Sequence, residues 1–412
     1  MFDKTLIFVS RKLGIDFSYM VKSGRWLFLG AVIALSGNFL SSVAFANLLS
    51  PEIYGQYKLI FSIIGIIGAL SVTGSPLVIT RSIAKGYDGT FIKQILLQLK
   101  TSVFPIVVGS GVGIYYILNT NYTLGSGIII ASILSPLLVT ANLYGSFLEG
   151  KKNFSLLVKY QLIHGTVPII LLVLSIFFTD NIFIILLAYF IPNILIHSLF
   201  TLRTLKHNVE NQMVDVEANN YSLHLSVQGL IGPIATNIDK IIIFHFFGAA
   251  QLALYVVAVA LPQQVSIVQK GLKMIMLPNL SQRSLKMIKN SAKQRALILF
   301  AAGIFLSFGY ILIAPILFKV FFPNYIEGIF ISQLYSLSFL FLPKMIYSIG
   351  LYAQKMTRGL YISKISTPVI KIILFIILTP TYGLIGAVVS ILLTQLIELL
   401  ILIILLHRSK IV

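Results

Sequence analysis

The stretch TNIDKIIIFHFFGAAQLALY, residues 236–255, is apolar enough to enter a lipid bilayer, yet it carries Asp239 and Lys240 side by side. An ionised side chain at the bilayer centre costs about 2.5–3.5 kcal/mol on insertion scales, so by default it is functional or paired. Neighbouring residues on a helix point about 100° apart, so these two charges are expected to face different partners, or one partner and one cavity, rather than each other.

The rest of the chain makes this run a membrane helix. Its 412 residues are 57% hydrophobic and only 10% charged, with a mean hydropathy of +0.95, where a soluble domain carries about 25% charged residues. Apolar runs of roughly 20 residues, the length that crosses a bilayer, occur near 26–48, 58–80, 100–118, 126–147, 157–178, 182–202, 223–247, 252–278, 296–318, 328–352, 365–379 and 384–406. The small-residue stretch VAFA at 43–46 resembles a signal-peptide cleavage site, but the apolar run before it is too long, and the first helix is expected to be retained.

Charge fixes the orientation. With the sides alternated from a cytoplasmic start, 24 of the 31 Lys and Arg fall on inner segments and one, Lys319, on an outer loop. That asymmetry obeys the positive-inside rule and puts both termini in the cytoplasm. It also accounts for the net charge of +19 without any nucleic acid.

An internal repeat divides the chain. LLSPEIYGQY (48–57) follows the first span and FFGAAQLALY (246–255) follows the seventh, with Tyr57 and Tyr255 in register. The longest polar stretch, 202–224, separates the two copies as a natural hinge. The expected fold is all-α and polytopic: twelve transmembrane helices in two pseudo-symmetric six-helix bundles around a central cavity. The bundles would be 1–205 and 223–412, joined by a cytoplasmic linker at 206–222. Pro76, Pro105, Pro136, Pro168, Pro192, Pro233, Pro262, Pro315, Pro343 and Pro368 fall within the spans and are expected to bend them.

No catalytic pattern is present. Cysteine is absent, which removes thiolate chemistry and Cys-based metal sites. There is no phosphate-cradling loop, HExxH or GxSxG, and no cofactor is expected. Gly109 and Gly113 form a GxxxG suited to close helix packing. The outer loops are too short to hold a polar substrate for a polymerase or glycosyltransferase.

The chemistry therefore rests on charges inside helices. Lys270 and Lys273 lie near an inner end, where their stems can snorkel. Lys371 is about six residues into its span. Lys344 lies roughly 12 Å deep at 1.5 Å per residue, and Glu398 is likewise deep in LLTQLIELLILI. Arg81 and Asn38 are weaker candidates in the first half. Five embedded lysines against two acids give a cationic cavity, suited to an anionic substrate and to phosphate above all.

The segments LLSPEIYGQYKLIFSIIGIIGAL (48–70), NIDKIIIFHFFGAAQLALYVVAVAL (237–261), FPNYIEGI (322–329) and PTYGLIGAVVSILLTQLIELL (380–400) resemble the polysaccharide-transport family. Its members are the Wzx-type flippases of the multidrug/oligosaccharidyl-lipid/polysaccharide exporter superfamily. The resemblance implies a V-shaped pair of bundles in a bacterial cytoplasmic membrane, exporting an undecaprenyl-diphosphate-linked oligosaccharide. By position Asp239 and Lys240 match the acidic and basic pair usual in the family's seventh helix, and the family's cationic lumens agree with the set read from the residues: Lys240, Lys344, Lys371, Lys270, Lys273, Arg81 and Asn38 for substrate, with Asp239 or Glu398 as the ion-coupling acid. Expected partners are the lipid-linked oligosaccharide, membrane lipids, and a polysaccharide polymerase with its chain-length regulator. A drug/cation antiporter of the same superfamily would instead need an acid-rich cavity.

Overall fold

A computed structural model of the protein describes residues 37, 39–265, 269, 276, 280–281, 283–354 and 356–408. Every regular element among them is a helix. Among the described residues, eight helices are long and apolar enough to cross a membrane, or nine if Pro323–Phe341 and Lys344–Ala353, bent by 42° at their junction, form one span. A shorter apolar helix covers Phe39–Leu48.

Two of the long runs contain a glycine that is not helical. In Ile231–Gln263 it is Gly248, at φ 82°, and in Thr357–Arg408 it is Gly383, at φ 62°. The second run folds back on itself at Gly383. Ser390 Oγ donates to the Leu374 carbonyl sixteen residues earlier, at 3.0 Å. A Cβ on Gly386 would fall 1.9 Å from the Leu378 carbonyl oxygen. Residues 357–382 and 384–408 are therefore an antiparallel pair, turning where only glycine accepts the positive φ.

Helix starts follow local chemistry. Ser50 accepts from the Ile53 amide, with Pro51 next and Glu52 in the first turn, so three start signals coincide. Asn121, Asn153 and Asn181 accept from Leu124, Leu156 and Phe183 in the same way. Of the ten prolines expected to bend spans, Pro136, Pro168, Pro192, Pro262, Pro315 and Pro368 lie inside helices. The other four lie where one helix gives way to the next, and Pro343 sits at the 42° bend between Pro323–Phe341 and Lys344–Ala353. Pro76, Pro105 and Pro233 sit in first turns and Pro343 at an N-cap, where no helical partner for the missing N–H is lost.

The chain forms two compact units, Val32–Ala253 and one built on Leu254–Val412. In the first, small residues set helix spacing. A Cβ on Gly109 would lie 2.0 Å from Ser132 Oγ, and one on Gly125 would lie 2.5 Å from the Gly113 carbonyl. The GxxxG thus packs Val103–Leu118 against Tyr122–Ala141 at backbone distance. Pro51–Ile67 meets the helix that starts at Ile231 in the same manner, with Gly55 on the backbone of Ala249 and Gly65 on Asn237.

The polar stretch after His207 is not a free hinge. Asp88, fully buried, accepts from the Glu210 amide at 2.8 Å, and its own amide donates to Asn211 Oδ1 at 3.2 Å. Asn211 Nδ2 donates to the Gly86 carbonyl, the Asp215 amide to Thr90 Oγ1, and Ser82 Oγ to Asp215 Oδ2. Lys151 Nζ lies 2.9 Å from both Asp88 Oδ2 and Glu210 Oε2. Residues 210–215 are therefore strapped to the 82–90 turn. Burial opposes the charge on Lys151, but the bonds from Asp88 and Glu210 outweigh it and raise its pKa.

In the second unit, Leu285–Phe321 packs on residues 329–341. Ser307 Oγ donates to the Ser336 carbonyl at 2.8 Å, Tyr310 meets Ser332 at 2.6 Å, and Gln333 Nε2 donates to the Ile311 carbonyl at 2.9 Å. Polar side chains here meet one another or a carbonyl rather than lipid, as a dry medium requires.

Candidate functional site

The first unit brings charge together where Pro51–Ile67 faces the Ile231 helix. Asp239 is 6% exposed. Lys240 Nζ lies 3.2 Å from Asp239 Oδ1 and donates to the Thr236 carbonyl at 3.1 Å. This corrects the expectation that the two charges face different partners. The roots do diverge by about 100°, but side chains lean toward the helix N-terminus. The four-carbon stem of lysine is long enough to wrap back over the turn and reach both oxygens.

The same place holds Lys58, the first residue of the apolar run 58–80. Lys58 lies in the second turn of Pro51–Ile67, its ammonium 5.3 Å from the ring centre of Tyr54 and 5.9 Å from that of Tyr57. It is close enough to Lys240 for the two charges to repel. No carboxylate among the described residues makes an ion pair with it. An aromatic ladder continues from it, through Tyr57–Phe61 at 4.6 Å to Phe61–Tyr189 at 4.8 Å. Two ammoniums against one carboxylate leave a net positive site in an apolar surround. An anion brought there would meet donors already desolvated. The sequence signal was available: Lys58 follows Tyr54 and Tyr57 at helical spacing, immediately beyond the Ser50–Pro51 start.

The second unit pairs two other candidates. Lys344 Nζ and Glu398 Oε2 are 2.8 Å apart, with side chains 22% and 25% exposed. A lysine expected to be a lumen cation and a glutamate expected to couple ions thus form one ion pair. Lys371 lies 5.4 Å above the Phe375 ring on its own helix. Arg81 is exposed at the end of Ser75–Ala84, its guanidinium 5.1 Å from the Tyr221 ring. Asn38, Lys270 and Lys273 lie outside the described residues. No group of three metal-ligating side chains occurs among the described residues.

Several solved structures share the fold. An inward-facing multidrug resistance MATE family transporter of the MOP superfamily aligns at TM-score 0.71 and 14% identity, over 92% of this chain and 97% of that one. The lipid II flippase MurJ, in an inward closed conformation, aligns at 0.65 and 15% identity, over 94% and 88%. A MOP superfamily transporter from Pyrococcus furiosus, described as having a binding pocket of reverse polarity, aligns at 0.65 and 13% identity, over 93% and 94%. No curated protein sequence matches the chain. A family model described as polysaccharide biosynthesis protein matches residues 20–282, well over half of the chain. The chain is a multi-span membrane protein and belongs to the polysaccharide biosynthesis protein family.

Proposed function

We propose that this protein is a flippase that moves an undecaprenyl-diphosphate-linked oligosaccharide from the inner to the outer leaflet of a bacterial cytoplasmic membrane. The observation that carries the reading is the Lys58–Lys240 site, two ammoniums with the single carboxylate of Asp239, on helices that face each other inside the membrane. A diphosphate complements that charge, while the polyprenyl tail stays in lipid. Alternating access would carry the site between the two faces, with Asp239 or Glu398 titrating if an ion gradient drives the cycle. The O-antigen or capsule repeat would come from glycosyltransferases on the inner face and pass to a polymerase and its chain-length regulator.

The architecture assumed is twelve spans in two bundles, 1–205 and 223–412, around a cavity, with both termini cytoplasmic. The non-helical Gly248 and Gly383 within two long runs, and the shorter apolar helix Phe39–Leu48, support a count above the eight or nine spans among the described residues. The reading as a drug/cation antiporter is disfavoured by the same site, because an organic cation would meet two lysines.

Deletion of the gene in a strain that makes a surface polysaccharide tests the reading. Lipid-linked repeat units are expected to accumulate on the inner leaflet, and their absence there overturns it. Complementation with Lys240→Ala or Lys58→Ala at normal expression is expected to restore only a small fraction of export.

A further inference from the structure

Arg295 lies inside the helix Leu285–Phe321 and is 5% exposed. It belongs to the buried stripe Leu285, Ile288, Ala292, Arg295, Ala296 and Leu299, whose spacing is that of one helix face. The apolar members of that stripe form a core with Ile346, Tyr347, Leu402 and Leu406. A guanidinium carries five donors and stays charged at any physiological pH. Among the described residues none gives Arg295 a hydrogen bond or an ion pair, and the nearby charge is another cation, Arg283.

Among its described residues, this unit brings no acid to Arg295. From Leu254 to Val412 there are fifteen Lys and Arg but only two acids, Glu327 and Glu398. Glu398 is held by Lys344. Glu327 is exposed in the turn beyond Phe321, at the far end of the same helix, about 40 Å away at 1.5 Å per residue. A buried, uncompensated charge is among the costliest features a fold can hold. Arg295 lies about 15 Å along the helix from Leu285, at the end that charge asymmetry assigns to the cytoplasm. Lys286 and Lys293 are exposed there, and Lys289 donates to the His407 carbonyl at 3.1 Å.

We propose that Arg295, with Arg283 beside it, is the protein half of an anion site completed by a phosphate group from outside the chain. The planar fork of arginine fits two phosphate oxygens at once. The phosphate belongs either to an inner-leaflet phospholipid headgroup or to the diphosphate of a polyprenyl-linked molecule. Basic pockets at the cytoplasmic side of helix bundles suit both. The first source is independent of the transport reading; the second rests on it.

Thermal unfolding of the full-length protein in detergent, titrated separately with phosphatidylglycerol, farnesyl diphosphate and phosphatidylcholine, tests the site. At least one anionic probe is expected to raise the midpoint, and phosphatidylcholine is not. Arg295→Met is expected to weaken binding of that probe on the order of tenfold or more. Without any probe it should be at least as stable as wild type, because an unpaired buried charge has gone. Arg295→Lys should keep a reduced shift, charge without the fork. A shift with phosphatidylglycerol alone assigns a phospholipid headgroup, and one with farnesyl diphosphate assigns a diphosphate. Absence of any shift in wild type, or equal shifts in wild type and both variants, overturns the site. No transport step enters this measurement, so its failure leaves the flippase reading standing, and failure of export leaves this site standing.

Discussion

Asp239 and Lys240 show how far a charge can be read from its position alone. That two ionised residues in an apolar run must be compensated followed from sequence, and both are. Their mutual pairing did not, because a helical wheel gives the direction of a side chain's root and not the reach of a lysine stem. The pairing of Lys344 with Glu398 was hidden for a different reason: 54 residues separate them, and only helix packing brings them together. Glu398→Gln leaves Lys344 without its carboxylate. A loss of about 1–3 kcal/mol is expected, read as a lower thermal midpoint in detergent. The double variant Lys344→Met with Glu398→Met should recover most of it, because removing both charges leaves neither stranded. Lys58 was undervalued because its helix begins at Pro51, seven residues before the apolar run appears to start.

At the scale of elements, the existence of nearly every span was legible and its ends were not. Apolar length marks what can cross a membrane, whereas the ends are set by caps. Asn121 and Asn153 stand in Asn-x-Ser/Thr triplets, a local pattern that says nothing of their part here as helix caps. Asn153→Ala is expected to cost about 0.5–2 kcal/mol of stability, measurable by thermal unfolding. Glycines were legible as packing residues where they formed GxxxG, and illegible where a single one decides a contact. Gly55→Leu would drive its Cβ into Ala249, 1.9 Å from the carbonyl oxygen and 2.8 Å from Cα. Backbone cannot swing aside as a side chain can, so loss of folded protein on size-exclusion chromatography is expected. Gly383→Ala meets a different obstacle, a backbone at φ 62° and ψ −145° that essentially only glycine adopts, at a cost of roughly 1–3 kcal/mol.

At the scale of the molecule, the polar stretch 202–224 was read as a hinge from its composition, since a run rich in Asn, Glu and Asp has no apolar face to bury. Composition could not show that those same side chains and their backbone amides find partners 120 or more residues earlier. Asp88→Ala should release the strap. Faster cleavage within 208–217 by a soluble protease is the expected readout, with Lys151 left bound to Glu210 alone. The pH dependence follows from the raised pKa of Lys151. Its stabilisation is complete below the ordinary lysine value of 10.5 and is lost only as pH climbs through the raised value. Cleavage of the strap should therefore be slow and constant across neutral and mildly alkaline pH and accelerate only beyond it.

The strap also has a schedule. Asp88 leaves the ribosome 122 residues before Glu210, an interval of roughly 6–24 s at synthesis rates of about 5–20 residues per second. Lys151 emerges about midway through that interval, and from then on it can hold the Asp88 carboxylate until Glu210 arrives. Arrival of residues 210–215 then completes the strap before most of the second unit has been translated. A nascent chain arrested with residue 253 outside the ribosome should already protect 208–217 from protease, whereas one arrested before 208 should leave the turn at 82–90 open.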